Sequence, residues 1–248
     1  MKKEKITVII PARYGSTRLP GKPLIKINDK PIIQWVYEKA SQSRLADTVL
    51  VATDDTRIFE AVQGFGGNAV MTSPDHQSGS DRIAEIVKAD PDITIAVNVQ
   101  GDEPLIKPES IDKAIQVLID DEMSDISTLI RIIANKEEIL NPNVVKAVVG
   151  VDGNALYFSR AAIPYERKTG ETPIYGHIGL YAYRREGLLK MTSLPQSSLE
   201  KAECLEQLRA LQNGMRIKTA VIDYTPIGID TDEDVEKFKA LVSVGINN

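Results

Sequence analysis

Short apolar runs rich in β-branched residues alternate with amphipathic stretches through the first hundred residues. Apolar runs bounded by polar turns are typical of buried strands, and apolar positions three or four residues apart are typical of helices. Strands and helices that alternate in this way form a mostly parallel sheet with helices on both faces. The pattern predicts strands over residues 6–10, 49–53, 69–72 and 93–99, and helices over residues 31–43, 55–65 and 80–89.

The second half of the chain is less regular, and no low-complexity linker, charge block or internal repeat interrupts it. We therefore expect one α/β domain over residues 1–248, with a smaller inserted lobe at roughly 125–225. A long amphipathic helix is predicted over residues 198–212, ended by Asn213 and Gly214, and a last helix over residues 232–242. The predicted strands of this half cover residues 126–133, 144–149, 155–159, 177–183 and 217–222.

Composition narrows the possible classes of protein. The 248 residues contain one cysteine, Cys204, and two histidines, His76 and His177, which excludes a disulfide framework and argues against zinc or His-rich metal centres. The net charge of −5 argues against binding nucleic acid or anionic membranes through bulk charge. Because the sequence shows no signal peptide and no apolar run of about 18–20 residues, we expect a soluble, cytoplasmic protein.

The segment that follows the first predicted strand, residues 11–24, concentrates three cations, two glycines and three prolines. Arg13 and Arg18 can each contact phosphate with two N–H groups, and Lys22 adds a point charge. Gly15 and Gly21 allow backbone N–H groups to approach phosphate oxygens. The pattern favours a phosphate-binding loop over the alternative, which is a solvated basic turn.

This loop does not match the two commonest nucleotide motifs. Five residues separate Gly15 from Gly21 where a Walker A loop has four, and Pro23 stands where that motif has its magnesium-binding hydroxyl. No G-x-G-x-x-G pattern follows the first strand either. An ATPase or kinase of the P-loop type and a nicotinamide dehydrogenase are therefore disfavoured.

Two acidic positions are candidate metal ligands. Asp102 follows Gly101 directly after a predicted strand, and Asp230 precedes the last predicted helix. A carboxylate at the end of a strand can hold Mg²⁺ against a triphosphate. The alternatives are a turn with a solvated acid for Asp102 and a helix cap for Asp230. The pair binds Mg²⁺ only if the two carboxylates face each other.

Three further groups of polar residues are candidates for substrate binding. Residues 75–82 place glycine and hydroxyl groups ahead of a helix, which suits base or ribose recognition, or an ordinary cap made by Ser80. His177 and Tyr181 are four residues apart on a strand and so share one face, although a lone strand histidine is more often structural. Arg160 ends another strand. Residues 205–209 place polar side chains between leucines, a pattern that favours a solvated face over a binding site.

Seven segments, taken in their order along the chain, resemble those of the CMP-Kdo synthetases, the 3-deoxy-manno-octulosonate cytidylyltransferase family. The resemblance extends from about residue 9 to residue 234, with Ser80 where the family often has threonine. Each segment alone is weak evidence, but the ordered set is specific. The segments are residues 11–24, 52–54, 76–79, 100–104, 157–160, 177–181 and 205–209.

The resemblance implies a Rossmann-like fold of the nucleotide-diphospho-sugar transferase type. It also implies a homodimer that joins CTP to Kdo (3-deoxy-D-manno-octulosonate) with Mg²⁺, giving CMP-Kdo and pyrophosphate for lipopolysaccharide or capsule synthesis. The inserted lobe at roughly 125–225 would then bind the acceptor and form the dimer contact. The residue roles it implies are Arg13, Lys22 and Asp102 for catalysis; Ala12, Arg13, Lys22, Gln77, Ser78 and Gln100 for CTP; Arg160, His177, Tyr181, Glu206 and Gln207 for Kdo; and Asp102 and Asp230 for Mg²⁺.

Three other functions remain open at this point. A CMP-sialic acid synthetase shares the chemistry and differs in its sugar. A glycosyltransferase would use the segment 230–232 as a metal motif and would release no pyrophosphate. A nucleotide sensor would bind CTP without turnover, and the paired acids argue against it.

Overall fold

The computed structural model describes residues 4–15, 19–168 and 170–243, and its strands follow the predicted apolar runs closely. Most predicted strand ends lie within two residues of the observed ones. The strands are β1 (Ile6–Ala12), β2 (Lys26–Ile27), β3 (Lys30–Pro31), β4 (Thr48–Thr53), β5 (Ala69–Met71), β6 (Ile95–Asn98), β7 (Ile126–Ile132), β8 (Lys146–Val149), β9 (Ala155–Ser159), β10 (Tyr175–Arg184) and β11 (Ile217–Val221).

The helices include three that the sequence pattern does not predict, which are α4, α5 and α6 below. None of the helices in the described ranges has both the length and the apolar character needed to cross a bilayer. The helices are α1 (Ile32–Ala40), α2 (Thr56–Gly64), α3 (Gly79–Ala89), α4 (Pro108–Asp120), α5 (Lys136–Leu140), α6 (Arg185–Ser193), α7 (Ser198–Glu203), α8 (Gln207–Gln212) and α9 (Asp232–Ser243).

The chain forms two compact units. The first unit consists of Met1–Ile93, Asn98–Ile111 and Pro226–Asn248, and the second of Thr94–Val97 and Asp112–Thr225. The interpretation of one domain with an acceptor-binding and dimerisation lobe at roughly 125–225 stays a prediction.

In the first unit, β1 pairs in parallel with β4, and β4 pairs in parallel with β5. The N–H of Val99 donates to the carbonyl of Ile9, so the segment that continues from β6 runs beside β1. Helix α9 packs into an apolar cluster in which the Phe238 ring meets the Trp35 ring edge to face, 5.6 Å apart. The predicted alternation of parallel strands and covering helices is confirmed in this unit.

In the second unit, β7 lies between β10, which is antiparallel to it, and β11, which is parallel to it. Strands β8 and β9 form an antiparallel extension beside β10. The register of β10 against β7 shifts between Ile178 and Tyr181. An irregularity of this kind changes where side chains and carbonyls point, and such irregularities are common next to functional sites.

The single helix predicted over residues 198–212 is wrong, because the structure divides it into α7 and α8. Cys204 ends α7 in the left-handed conformation, with φ +52°. A buried ion pair joins the two helices, in which Arg209 donates two hydrogen bonds of 2.6 and 2.8 Å to the carboxylate of Glu200. The apolar spacing continues through the break, so periodicity alone could not detect it. The predicted stop at Gly214 is confirmed by its φ of +72°.

Candidate active site

An open cleft of about 430 Å³ lies in the first unit at the carboxyl end of β1. Parallel α/β sheets bind ligands at this edge. Six residues that the sequence analysis assigned to CTP or Mg²⁺ line it together, whereas Gln77 and Ser78 are absent from its lining within the described ranges. The lining residues are Pro11, Ala12, Arg13, Gly15, Lys22, Pro23, Gly79, Gln100, Gly101, Asp102 and Asp230.

Close backbone contacts bring Asp102 and Asp230 into this cleft. A Cβ atom on Gly101 would lie 2.9 Å from the carbonyl oxygen of Pro11, so only glycine lets this segment approach the end of β1. The N–H of Ile229 donates to the carbonyl of Asp102 at 2.9 Å. That hydrogen bond places Asp230 beside Asp102, although the two residues are far apart in the sequence.

The ammonium of Lys22 bridges the two carboxylates. Its Nζ lies 2.6 Å from Oδ2 of Asp102 and 3.0 Å from Oδ1 of Asp230. Burial of Lys22 by itself lowers its pKa, but the charge of Asp102 and the hydrogen bonds to both carboxylates outweigh burial and raise the pKa. Lys22 is therefore cationic, and the two acids face each other as a metal site requires.

The loop that carries Lys22 is closed by its own backbone. The N–H of Gly21 donates to the carbonyl of Tyr14 at 2.9 Å, and Gly21 has a φ of +69° that favours glycine. A short 3₁₀ helix, Lys22–Leu24, begins directly after it and presents the lysine to the cleft. Arg18, the third cation predicted for this loop, lies outside the described residues.

Arg13 is anchored to the loop that precedes α3. Its Nη2 donates to the carbonyls of His76 and Ser78 at 2.5 and 3.1 Å, and its Nη1 donates to that of Gln77 at 3.4 Å. Arg13 lines the cleft, and its guanidinium holds residues 76–78 in place. The predicted nucleotide residues Gln77 and Ser78 are thus tied to the cleft through Arg13.

Ser78, and not Ser80, caps α3, which corrects the sequence interpretation. The Oγ of Ser78 accepts from the N–H of Asp81 at 3.1 Å, and the Asp81 carboxylate accepts from the N–H of Ser78 at 3.2 Å. This reciprocal capping box satisfies two helix-end donors at once. Ser80 is instead buried inside the first turn of the helix.

Sequence reasoning missed a fully buried arginine behind this loop. The Nη2 of Arg82 lies 3.3 Å from Oδ1 of Asp54, and its Nη1 donates to the hydroxyl of Thr72. Arg82 therefore joins the ends of β4 and β5 to α3. The only available signal was its position on the apolar face of the predicted helix, where a charge requires a partner.

The two carboxylates suit a hard divalent cation. Mg²⁺ in nucleotide sites typically takes one or two carboxylates, with phosphate and water completing its ligands. Asp102 and Asp230 provide that set, and the Lys22 ammonium between them shows that the position attracts a cation. Among the described residues, no cluster of three or more His, Cys, Asp or Glu side chains offers a metal site made by protein alone.

In the second unit, Arg160 is braced by backbone carbonyls. Its Nε donates to Glu203 at 2.8 Å and its Nη1 donates to Pro142 at 3.0 Å. The carboxylate of Glu203, which the sequence analysis did not single out, accepts from the N–H of Arg160 and from the hydroxyl of Ser159. The guanidinium also donates from Nη2 to the carbonyl of Cys204 at 3.5 Å. It is thereby held at the end of β9, and the N–H groups left over can serve a ligand.

His177 and Tyr181 lie on one face of β10, as their spacing predicts. Their ring centres are 5.3 Å apart, and the Phe158 ring also contacts the imidazole, edge to face at 4.9 Å. Burial lowers the pKa of His177 to about 3, so the imidazole is neutral. Burial, together with Tyr183 and Glu206, raises the pKa of Tyr181 well above its usual value, so the phenol keeps its proton.

Glu206 and Gln207 stand at the start of α8. Gln207 is buried and Glu206 is half-buried, with its Oε1 3.8 Å from Nη2 of Arg209. The interpretation of residues 205–209 as a solvated face is therefore wrong for Gln207 and Arg209. Because the chain breaks at Cys204, α8 does not continue α7. The two polar side chains at its start therefore take positions that are independent of α7.

Together, the parallel α/β unit and its cleft of glycine backbone, lysine and paired carboxylates are typical of proteins that bind nucleotide phosphates. A family model described as cytidylyltransferase matches residues 7–217. Relatives named 3-deoxy-manno-octulosonate cytidylyltransferase include one from Aliivibrio fischeri, 51% identical over 96% of this chain and 98% of the relative. Another, from Thermodesulfovibrio yellowstonii, is 49% identical over 92% of this chain and 94% of the relative. The chain belongs to the cytidylyltransferase family, in its 3-deoxy-manno-octulosonate group.

Solved structures agree with this assignment. The structure of CMP:2-keto-3-deoxy-manno-octonic acid synthetase complexed with CTP matches with a TM-score of 0.94 and 44% identity, over 98% of this chain and 100% of that one. A cytidylyltransferase from Leptospira borgpetersenii matches with a TM-score of 0.67 and 20% identity, over 99% of this chain and 89% of that one. The second likeness shows the fold alone. The predicted fold class and family are confirmed.

Proposed function

We propose that this protein transfers CMP from CTP to Kdo and releases pyrophosphate. The observation that carries the proposal is the Lys22 ammonium held between Asp102 and Asp230 in a cleft that Ala12, Arg13 and Gln100 also line. Relatives of about half-identical sequence carry the corresponding enzyme name, and the CTP-bound synthetase has the same fold.

The reaction exchanges one bond at phosphorus for another. The anomeric oxygen of Kdo forms a bond to the α-phosphorus of CTP, and the bond from that phosphorus to the β-phosphate oxygen breaks. Pyrophosphate leaves with the electron pair, and the hydroxyl proton passes to the buffer. Transfers of this kind require mainly positioning and stabilisation of charge, rather than covalent help from the protein.

At the nucleotide end, Lys22 moves from the carboxylates to the phosphates and offsets the negative charge that grows in the transition state. Arg13 shares its guanidinium between the phosphates and residues 76–78, so it orients the loop against the nucleotide. Gln77, Ser78 and Gln100 recognise the base and ribose, and Ala12 packs beside cytosine. Gly15, which lines the cleft and has no described atom within 4 Å of an added Cβ, leaves room for phosphate oxygens next to the backbone.

Asp102 and Asp230 would hold Mg²⁺. When bound, the ion neutralises phosphate charge and fixes the phosphates for displacement. The two aspartates keep their carboxylates aligned, because the hydrogen bond from Ile229 to Asp102 ties their backbones together. Lys22 lies between these carboxylates, so binding of the ion there would require the lysine to move.

At the acceptor end, we assign Kdo to Arg160, His177, Tyr181, Glu206 and Gln207 of the second unit. Arg160 supplies positive charge for a carboxylate, and its braces fix the direction of its remaining N–H groups. The neutral His177, the protonated Tyr181, Glu206 and Gln207 supply both donors and acceptors for sugar hydroxyl groups.

The test measures pyrophosphate release with CTP and Mg²⁺ against Kdo, sialic acid and no sugar. Release with Kdo alone is expected. Release with sialic acid alone would overturn the acceptor and indicate a CMP-sialic acid synthetase. Binding of CTP without release with any of these sugars would favour a close analogue of Kdo, such as an amino analogue, as the acceptor, or a sensor. Transfer from a sugar nucleotide without pyrophosphate would favour a glycosyltransferase.

The same proposal places the protein in the cytoplasm as a homodimer that supplies activated Kdo for lipopolysaccharide or capsule synthesis. Exposed apolar side chains in the second unit support a protein interface, among them Leu140, Leu156 and Tyr165, which are 66%, 62% and 89% exposed. Light scattering during size-exclusion chromatography should give twice the chain mass of 27.3 kDa. A monomer at micromolar concentration would remove the dimer from the proposal.

A further inference from the structure

The hydroxyl of Thr128 makes three short polar contacts beside the imidazole of His177. Its Oγ1 lies 2.9 Å from Nε2 of His177, 2.8 Å from the carbonyl oxygen of Leu180 and 3.1 Å from that of Ile178. Thr128 is completely buried in the middle of β7. The register shift of β10 brings both carbonyls to this one hydroxyl.

These contacts determine the direction of the hydrogen bond to His177. A threonine hydroxyl has one hydrogen to donate and two lone pairs that accept. The carbonyl oxygens can only accept, and two oxygens 2.8 Å apart require a hydrogen between them. The Thr128 hydrogen is therefore committed to the carbonyls. The hydroxyl accepts from His177, and the imidazole carries its hydrogen on Nε2.

The other ring nitrogen is then a hydrogen-bond acceptor. A neutral imidazole with hydrogen on Nε2 has a bare lone pair on Nδ1. Within residues 4–15, 19–168 and 170–243, no protein group pairs with Nδ1, and the side chain is half-buried. The rings of Phe158 and Tyr181 limit rotation of the imidazole. The nitrogen is thus free to accept from a ligand hydroxyl, and its lone pair disfavours a carboxylate.

We propose that Thr128 is a positioning residue that fixes His177 in the Nε2–H form, so that Nδ1 accepts a hydrogen bond from a hydroxyl group of the acceptor sugar. The proposal rests on the proposed function for the identity of that sugar. In this arrangement the cationic Arg160 binds the carboxylate of the acceptor sugar, and His177 binds one of its hydroxyl groups.

The tautomer is measured directly in the free protein, by long-range proton–nitrogen NMR with ¹⁵N-labelled histidine. The chain has only two histidines, so a His76→Gln variant assigns the signals of His177. The wild-type protein should show hydrogen on Nε2. Thr128→Val should shift His177 toward the Nδ1–H form, because Nε2–H loses its acceptor, and Thr128→Ser should restore the wild-type spectrum.

Kinetics then test recognition. Thr128→Val should raise KM for Kdo about three- to tenfold, in keeping with one neutral hydrogen bond, and leave KM for CTP within about twofold. Thr128→Ser should behave as wild type. The matched control is Thr219→Val, because Thr219 pairs with Thr128 on β11 and its hydroxyl bonds only the carbonyl of Gly153 among the described residues. It should change neither the tautomer nor KM for Kdo.

Hydrogen on Nδ1 in the wild-type protein, or an unchanged tautomer in Thr128→Val, overturns the proposal whatever the kinetics show. A changed tautomer with unchanged KM for Kdo overturns the recognition step. If Thr128→Val does not fold, the wild-type and Thr128→Ser spectra decide the tautomer. If the wild-type protein does not use Kdo, the proposed function fails, and the nitrogen spectra still support or overturn the role of Thr128.

Discussion

The ammonium nitrogen of Lys22 lies 2.6 Å from a carboxylate oxygen of Asp102, and 80 residues separate the two in the sequence. The same nitrogen lies 3.0 Å from Asp230, a further 128 residues along the chain. In the free protein, the cation of this ion pair reduces the repulsion between the two carboxylates. A bound metal ion and nucleotide would have to displace it.

Asp102→Asn should lower kcat by about 10²–10³-fold, the range found when a group that stabilises transition-state charge is lost. The neutral amide keeps the shape of the side chain but weakens both the metal site and the contact with Lys22. Asp232→Asn is the matched control, because Asp232 is exposed at the start of α9 and should leave kcat unchanged. Near wild-type turnover in Asp102→Asn would remove Asp102 from the reaction.

Lys22→Met should abolish most turnover while strengthening Mg²⁺ binding to the nucleotide-free protein by about tenfold, since an ion pair of this strength no longer competes for the carboxylates. Titration calorimetry with MgCl₂ in the absence of CTP measures the effect. Lys26→Met, at an exposed position four residues later, is the control for a lost lysine. Weaker Mg²⁺ binding in Lys22→Met would show that the lysine assists the metal instead of competing with it.

Glu103 should make the metal-free protein less stable as pH rises. Burial, with a smaller contribution from Asp102, raises its pKa from 4.5 to about 8. The folded protein therefore retains a proton that the unfolded chain releases above about pH 4.5. The stabilisation that this proton on Glu103 gives the folded protein is complete below pH 4.5 and is lost as the pH rises through 8.

Glu103→Gln tests this, because the amide mimics the protonated acid at every pH. The melting temperature of the variant should exceed that of the wild type at pH 8.5, by about 2–4 °C for each kcal/mol gained, and the difference should vanish at pH 4. The measurement is made with EDTA present. Parallel melting curves for the two proteins across this range would show that Glu103 ionises normally.

Arg160→Ala should raise KM for Kdo by about 10- to 100-fold, as expected for a lost hydrogen bond to a charged group, with little change in KM for CTP. The variant also loses the hydrogen bonds from Arg160 to the carbonyls of Glu203 and Pro142, so its melting temperature should be measured together with the kinetics. Arg216→Ala, at an exposed arginine of the same unit, is the control. An effect confined to CTP would contradict the acceptor pocket.

Gly101→Ala should lower both kcat and stability, since the new methyl group would meet the carbonyl oxygen of Pro11 at 2.9 Å. Forcing extra volume into a packed site typically costs about 1–3 kcal/mol. Gly228→Ala places the same methyl group where no atom lies within 4 Å in the described part of the chain, and it should be tolerated. Equal behaviour of the two variants would show that the backbone at Gly101 can adjust.

The sequence predicts the strands of the first unit and the residues around its cleft because both depend on local signals. An apolar run marks β1, and Arg13 and Lys22 follow it within a few residues. Parallel strands bring such loops to one edge of a sheet. The same reasoning could not predict that Arg13 donates to three carbonyls of residues 76–78, because a backbone acceptor leaves no trace in residue identity.

Two features of the second unit, the contact of Thr128 with His177 and the break between α7 and α8, could not be predicted from the sequence. Thr128 is an ordinary residue for a buried strand, and its contact with His177 depends on a register shift that has no sequence signal. The division of α7 from α8 rests on the backbone of one residue, Cys204, while the apolar spacing continues past it. The first feature depends on pairing between distant segments, and the second on a left-handed backbone conformation that a cysteine does not signal.

Lys22, Asp102 and Asp230 come from the beginning, the middle and the last part of the chain. Such long-range closure is entropically costly and tends to form late in folding. During synthesis, the cleft cannot be completed until α9 has left the ribosome and packed against Trp35. Loss of α9 by proteolysis or premature termination would remove the apolar contacts that fix Asp230, so a shortened product that kept β1 to β11 would be catalytically silent.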